Sequence, residues 1–149
     1  MSKVILLVED NATDEKLTLV AFKKCGVANE VVVERDGAAA LDYLFGTGSH
    51  AGRGAATFPS VVLLDLKLPK IDGLEVLRRI RSDERTKLLP VVVLTASRED
   101  EDVLRSYSLG ANAYVRKPVA FAEFAEAART LGLFWLLLNE PAPAGGRTP

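Results

Sequence analysis

Five short apolar runs recur along the chain: Val4-Ile5-Leu6-Leu7-Val8, Val31-Val32-Val33, Val61-Val62-Leu63-Leu64, Val91-Val92-Val93-Leu94 and Ala113-Tyr114-Val115. Each suits a strand by length, and three are continuous rather than alternating, as parallel strands covered by helices on both faces are. The segments between them carry apolar residues at helical spacing. These are Leu17, Val20 and Ala21 in 14–24, Ala40, Leu41 and Leu44 in 36–45, Leu74, Leu77 and Ile80 in 73–81, and Val103, Leu104 and Tyr107 in 98–109. A long last helix starts near Phe121. Strand and helix alternating in this way predict an α/β fold, a doubly wound (βα)5 unit with a parallel five-stranded sheet and right-handed crossovers. In such a sheet a ligand site lies at the carboxyl ends of the central strands, where strand order reverses.

Polar residues stand at those ends. Glu9-Asp10 follows the first run, Asp65 the third, Thr95 the fourth and Lys117-Pro118 the fifth. Three carboxylates crowded into one crevice raise one another's pKa unless a cation is supplied. Hard oxygen donors without His or Cys suit Mg²⁺. The lysine adds a second positive charge beside a phosphate, and the Thr95 hydroxyl can donate to a phosphate oxygen. The set suits an aspartate that attacks a phosphoryl group while metal and lysine neutralise charge.

Those residues, with Leu64-Asp65-Leu66-Lys67-Leu68-Pro69, Asp72-Gly73, Leu94-Thr95-Ala96 and Gly110-Ala111-Asn112-Ala113-Tyr114-Val115-Arg116-Lys117-Pro118, resemble the receiver domain of two-component response regulators over residues 3–130. The resemblance implies a flavodoxin-like fold with strand order 2-1-3-4-5, and a signalling protein rather than an enzyme. It implies Asp65 as phosphoacceptor, with Glu9 (through water), Asp10, Asp65 and the backbone carbonyl of Lys67 holding Mg²⁺. Thr95 and Lys117 would bind the phosphoryl group, Tyr114 would be the aromatic switch, and the peptide before Pro118 would be cis. A sensor histidine kinase is the implied donor and a histidine phosphotransfer protein an implied further partner. Glu9 departs from the commoner Asp, and Lys67 stands where side chains in this family influence phosphoryl lifetime. An aspartate-nucleophile phosphohydrolase would need an acid two residues after the nucleophile, where Lys67 stands.

Two segments lie outside that motif set. The Gly-rich stretch 46–56 is long for a connection, but it follows a helix and opens a strand, so it is a surface loop rather than a phosphate cradle, and His50 within it is a solvated loop residue. In the last helix Phe121, Phe124, Ala125, Ala128, Leu131 and Trp135 fall on one side, which predicts a core face. Its end, Leu133 to Leu138, is apolar all round. Leu133, Phe134, Leu136 and Leu137 therefore predict an interface, most simply a homodimer. The long loop together with Phe134-Trp135-Leu136-Leu137-Leu138-Asn139-Glu140-Pro141 resembles single-domain response regulators that partner bacteriophytochrome-type sensor kinases.

Composition narrows the alternatives. The 149 residues make one domain, expected as a receiver with extended last helix over 1–140 and a disordered tail over 141–149, with no output domain. A formal net charge of −1 lacks the basic excess of a nucleic-acid binder. Cys25 is alone, so neither an internal disulfide nor a cysteine zinc site is available. With no signal pattern and no apolar stretch near the ~20 residues of a membrane span, a cytoplasmic location is expected. The competing reading is an interaction protein of the same fold that works through its dimer face without phosphate.

Overall fold

Residues 4–24, 29–48, 58–96 and 100–116 are described by the structure, a computed structural model. Their elements follow one another as β1 (Val4–Val8), α1 (Ala12–Lys24), β2 (Glu30–Glu34), α2 (Gly37–Phe45), β3 (Val61–Leu64), α3 (Gly73–Ser82), β4 (Val91–Thr95), α4 (Asp100–Ser108) and β5 (Ala113–Arg116). The five strands form one sheet in the order β2-β1-β3-β4-β5, and all four pairings are parallel. The chain runs from β1 outward to β2, then returns to the other side of β1 with β3. The switch point expected of a doubly wound sheet therefore lies between β1 and β3.

Burial explains the sequence pattern. Ile5 to Val8 of β1, all of β3 and Val91 to Val93 of β4 are buried, whereas the edge strand β2 is half-buried. The unbroken apolar runs thus belong to the strands covered on both faces. On one face, Leu6, Val8, Val62 and Leu64 pack with Ala40 and Leu44 of α2 and Val76, Leu77 and Ile80 of α3.

Helix starts follow side-chain caps. Asn11 Oδ1 accepts the Asp14 N–H at 2.9 Å, so α1 begins at Ala12, two residues before the position expected from apolar spacing. Asp36 caps α2 through the Ala39 N–H at 2.7 Å, and Asp72 caps α3 through the Glu75 N–H at 2.9 Å. The expected last helix, Lys117, Pro118, most of the Gly-rich loop, and Leu133, Phe134, Leu136 and Leu137 lie outside the described residues. Among the described residues no peptide bond is cis, and no helix is long and apolar enough to cross a membrane.

At the amino ends of β4 and β5 one side chain ties the last three elements to α3. Arg81 donates to the carbonyls of Gly110 at 2.8 Å and Leu89 at 2.7 Å. It also donates to Asn112 Oδ1 at 2.9 Å, the same oxygen that accepts the Val91 N–H at 2.8 Å. Burial pushes the guanidinium below its ordinary pKa, although an arginine stays charged throughout the working range. Replacing Arg81 by Ala is expected to lower stability by about 2 kcal/mol, since several charge-assisted bonds to partly buried acceptors are lost together. The test is urea unfolding, where the midpoint should fall with an unchanged slope.

Candidate functional site

The last rungs between β1 and β3 build the site. Val8 pairs with Leu64, and the Asp65 N–H donates to the Val8 carbonyl at 3.1 Å. The residues just past β1 are thereby held beside the residue just past β3. Carboxylate oxygens of Glu9, Asp10 and Asp65 lie within 4.8 Å of one another. Glu9 is 3% exposed and Asp65 7%, while Asp10 opens to solvent.

Backbone N–H groups hold the two buried carboxylates. Asn11 donates to Glu9 Oε2 at 3.2 Å. Leu66 donates to Asp65 Oδ1 at 2.7 Å, with the Lys67 N–H on the same oxygen at a longer 3.4 Å. Two unit charges at this spacing repel by roughly 3–4 kcal/mol per pair at an effective dielectric of 20. A hydrogen bond to a charged group contributes only about 1.5–3 kcal/mol net. The N–H contacts orient the carboxylates, and the three acids together offer a cation a set of oxygen donors. The donors are all hard oxygens, which suits Mg²⁺ or Mn²⁺. On the exposed face of α3, hydrogen bonds from Arg78 and Arg79 hold the Glu75 carboxyl down to about 2.

The connection from β3 to α3 is wound tightly around Asp65. Leu68 N–H reaches the Leu66 carbonyl at 3.1 Å, Ile71 N–H the Pro69 carbonyl at 2.8 Å, and Gly73 N–H the Leu66 carbonyl at 2.9 Å. A Cβ at Gly73 would overlap the Asp65 carbonyl oxygen. The Asp72-Gly73 pair therefore has a physical cause: Asp72 caps α3, and only glycine lets that helix start directly beneath Asp65. Gly37 does the same for α2, where a Cβ would overlap the Ile71 carbonyl.

Thr95 closes β4. Because Leu64 pairs with Val93, Leu94 continues to the level of Asp65 and Thr95 stands one residue beyond it. Tyr114 pairs with Val93 from β5 and is half-buried. The Lys67 side chain is exposed beside a groove of about 380 Å³ that Leu68, Asp72, Asp102 and Arg105 also line. Lys117 falls outside the described residues. Apolar periodicity does not mark Asn11, although it caps α1 and its N–H holds Glu9. Its signal was an Asn followed three residues later by an acid, directly before an apolar-periodic segment.

Comparisons with known proteins agree with this geometry. The family profile of the response regulator receiver domain matches residues 5–129. The probable methanogenesis regulatory protein FilR2 of Methanothrix harundinacea is 44% identical over 142 residues, covering 95% of this chain and 89% of its own. The crystal structure of the Mn(2+)-bound form of response regulator Rcp1 has a TM-score of 0.86 at 37% identity, covering 95% of this chain and 99% of that one. Rcp1 is a Synechocystis protein. The bacteriophytochrome response regulator AtBRR has a TM-score of 0.74 at 57% identity, covering 94% of this chain and 99% of that one.

Gly73→Ala tests the packing beneath Asp65. A stability loss of about 2 kcal/mol or more is expected, because the added methyl meets backbone rather than a yielding side chain. Denaturant titration measures it, and a change under about 0.5 kcal/mol, the range of ordinary surface substitutions, would show that the loop can move aside.

Proposed function

The chain belongs to the response regulator receiver domain family, and from that premise we propose that Asp65 is its phosphoacceptor, charged by a sensor histidine kinase of bacteriophytochrome type. Receivers of this family take phosphoryl groups from histidine kinases. In the transfer proposed here, an Asp65 carboxylate oxygen bonds to phosphorus as the phosphorus–nitrogen bond of the kinase phosphohistidine breaks, and the departing imidazole nitrogen takes up a proton. The observation that carries the proposal is the Glu9, Asp10 and Asp65 cluster, with two of its members buried. Glu9, Asp10, Asp65 and the Lys67 carbonyl would hold Mg²⁺, whose charge would offset that of the carboxylates and the incoming phosphoryl oxygens. The Mn(2+)-bound form of Rcp1 supports that choice of metal class.

Thr95 and Lys117 would then contact the phosphoryl oxygens, with a cis peptide before Pro118 turning the chain there, and Tyr114 would report their arrival. The high identity to a bacteriophytochrome response regulator supports the kinase class. The receiver would span residues 1–140 and act in the cytoplasm through protein contacts, with no reaction on a further substrate. A histidine phosphotransfer protein is one such contact. Against an interaction protein that ignores phosphate stands the electrostatic cost of the cluster, which has no use without cation chemistry.

Incubation with Mg²⁺ and acetyl phosphate, or with a phosphorylated kinase, is expected to add one acid-labile phosphate per chain. Asp65→Asn should take up none, and chelation of Mg²⁺ should stop uptake by the unaltered protein. Equal incorporation by Asp65→Asn would overturn the assignment.

The second proposed partner is another copy of this chain, docked through Leu133, Phe134, Leu136 and Leu137, since the run 133–138, read as helix from its sequence, would be apolar all round and would need covering. Sedimentation at tens of micromolar should give a dimer for the natural protein and a monomer for Phe134→Ala/Leu137→Ala. A monomeric natural protein would sink the dimer.

A further inference from the structure

Tyr107 of α4 is 50% exposed, yet its hydroxyl oxygen is engaged by the backbone. It accepts a hydrogen bond from the Tyr114 N–H at 3.2 Å. Among the described residues β5 ends the sheet and pairs with β4 alone, and an edge strand presents backbone groups that its ladder leaves unused. One of those groups is the N–H of Tyr114, and a side chain from the preceding helix reaches across to satisfy it. The intervening turn is equally well tied. Gly110 N–H donates to the Tyr107 carbonyl at 3.0 Å, Ala111 N–H to the Ser106 carbonyl at 2.9 Å, and Asn112 N–H to the Val91 carbonyl at 2.8 Å. Tyr107 thus holds the turn through its carbonyl and the strand through its hydroxyl.

We propose that Tyr107 is a positioning residue for Tyr114. Its hydroxyl fixes the Tyr114 backbone from the open side of β5 while β4 fixes it from the other, so the Tyr114 ring turns about a fixed point when a phosphoryl group arrives at Asp65. This proposal rests on the roles given above to Asp65 and Tyr114. A backbone held in place before the ligand arrives reduces the ordering that binding must impose. Loss of the hydroxyl should therefore weaken the response at Asp65, although Tyr107 touches neither metal nor phosphate.

Tyr107→Phe removes one oxygen and keeps the ring. Two measurements decide the matter: amide hydrogen exchange at Tyr114, and titration of the Mg²⁺-loaded protein with beryllofluoride, a mimic of the aspartyl phosphate. In Tyr107→Phe the Tyr114 amide should exchange roughly fivefold faster, and half-saturation should need roughly two- to tenfold more beryllofluoride, the range set by one net hydrogen bond. The urea midpoint should fall by no more than that one bond accounts for, and a larger fall would mean general destabilisation and overturn the positioning role. Equal Tyr114 exchange in both proteins overturns the proposal, as does a half-saturation that is unchanged or lower. A natural protein that ignores beryllofluoride instead overturns the role of Asp65, and Tyr114 exchange then decides the clasp alone.

Discussion

A single backbone hydrogen bond, from the Asp65 N–H to the Val8 carbonyl, is the contact on which the site depends. It extends the β1–β3 ladder one step past the regular strands, at the place where the order of the sheet reverses. Glu9 and Asp10 leave β1 there, and Asp65 leaves β3. A slip of one residue between these strands would turn every side chain to the opposite face. It would bury charge among Leu6, Val62 and Leu64 and carry the apolar residues to the crevice. The buried faces of both strands resist that slip, so the hydrophobic core sets the spacing of the carboxylates.

That spacing is electrostatically uncomfortable, and the surrounding loop is shaped to tolerate it. Backbone N–H groups of Asn11, Leu66 and Lys67 face the carboxylates of Glu9 and Asp65. Main-chain donors cannot be swung away like a lysine side chain, so the oxygens keep their orientation whether or not a cation is bound. The tight loop that supplies two of those donors requires α3 to begin immediately behind Asp65, and hence requires glycine at position 73. Charge, loop and helix start are thus one connected constraint: relaxing any of them displaces Asp65.

The strands and their order were legible because burial on both faces leaves a simple trace, an unbroken run of Val, Leu and Ile. Acids placed directly after such runs in β1 and β3 stood out for the same reason, since a charge abutting a buried strand is costly without a purpose. Helix α1 was harder. Its first turn, Ala12-Thr13-Asp14, carries no large apolar residue to mark periodicity, and its start is set by the Asn11 side chain. The parts of the site made by the main chain were not legible at all, because any residue type can supply an N–H. Arg81 was equally hidden: by composition it joins Arg78 and Arg79 as a solvated base, and only the fold turns it toward Gly110, Leu89 and Asn112.

The two ends of the sheet consequently do different work. At the amino ends of β4 and β5, Arg81 and Asn112 bind α3, β4 and β5 into one block, so that end resists relative motion. At the carboxyl ends β2, β4 and β5 finish in Glu34, Thr95 and Arg116, while β1 and β3 lead directly into Glu9 and Asp65. Asp65 therefore stands at the opposite end of the sheet from the Arg81 tie. β5 joins both ends: Asn112 anchors its start, and Tyr107 clasps it at Tyr114. β5 is therefore held at its start and again at Tyr114, and the helix that supplies the second hold leaves Leu104 and Tyr107 exposed.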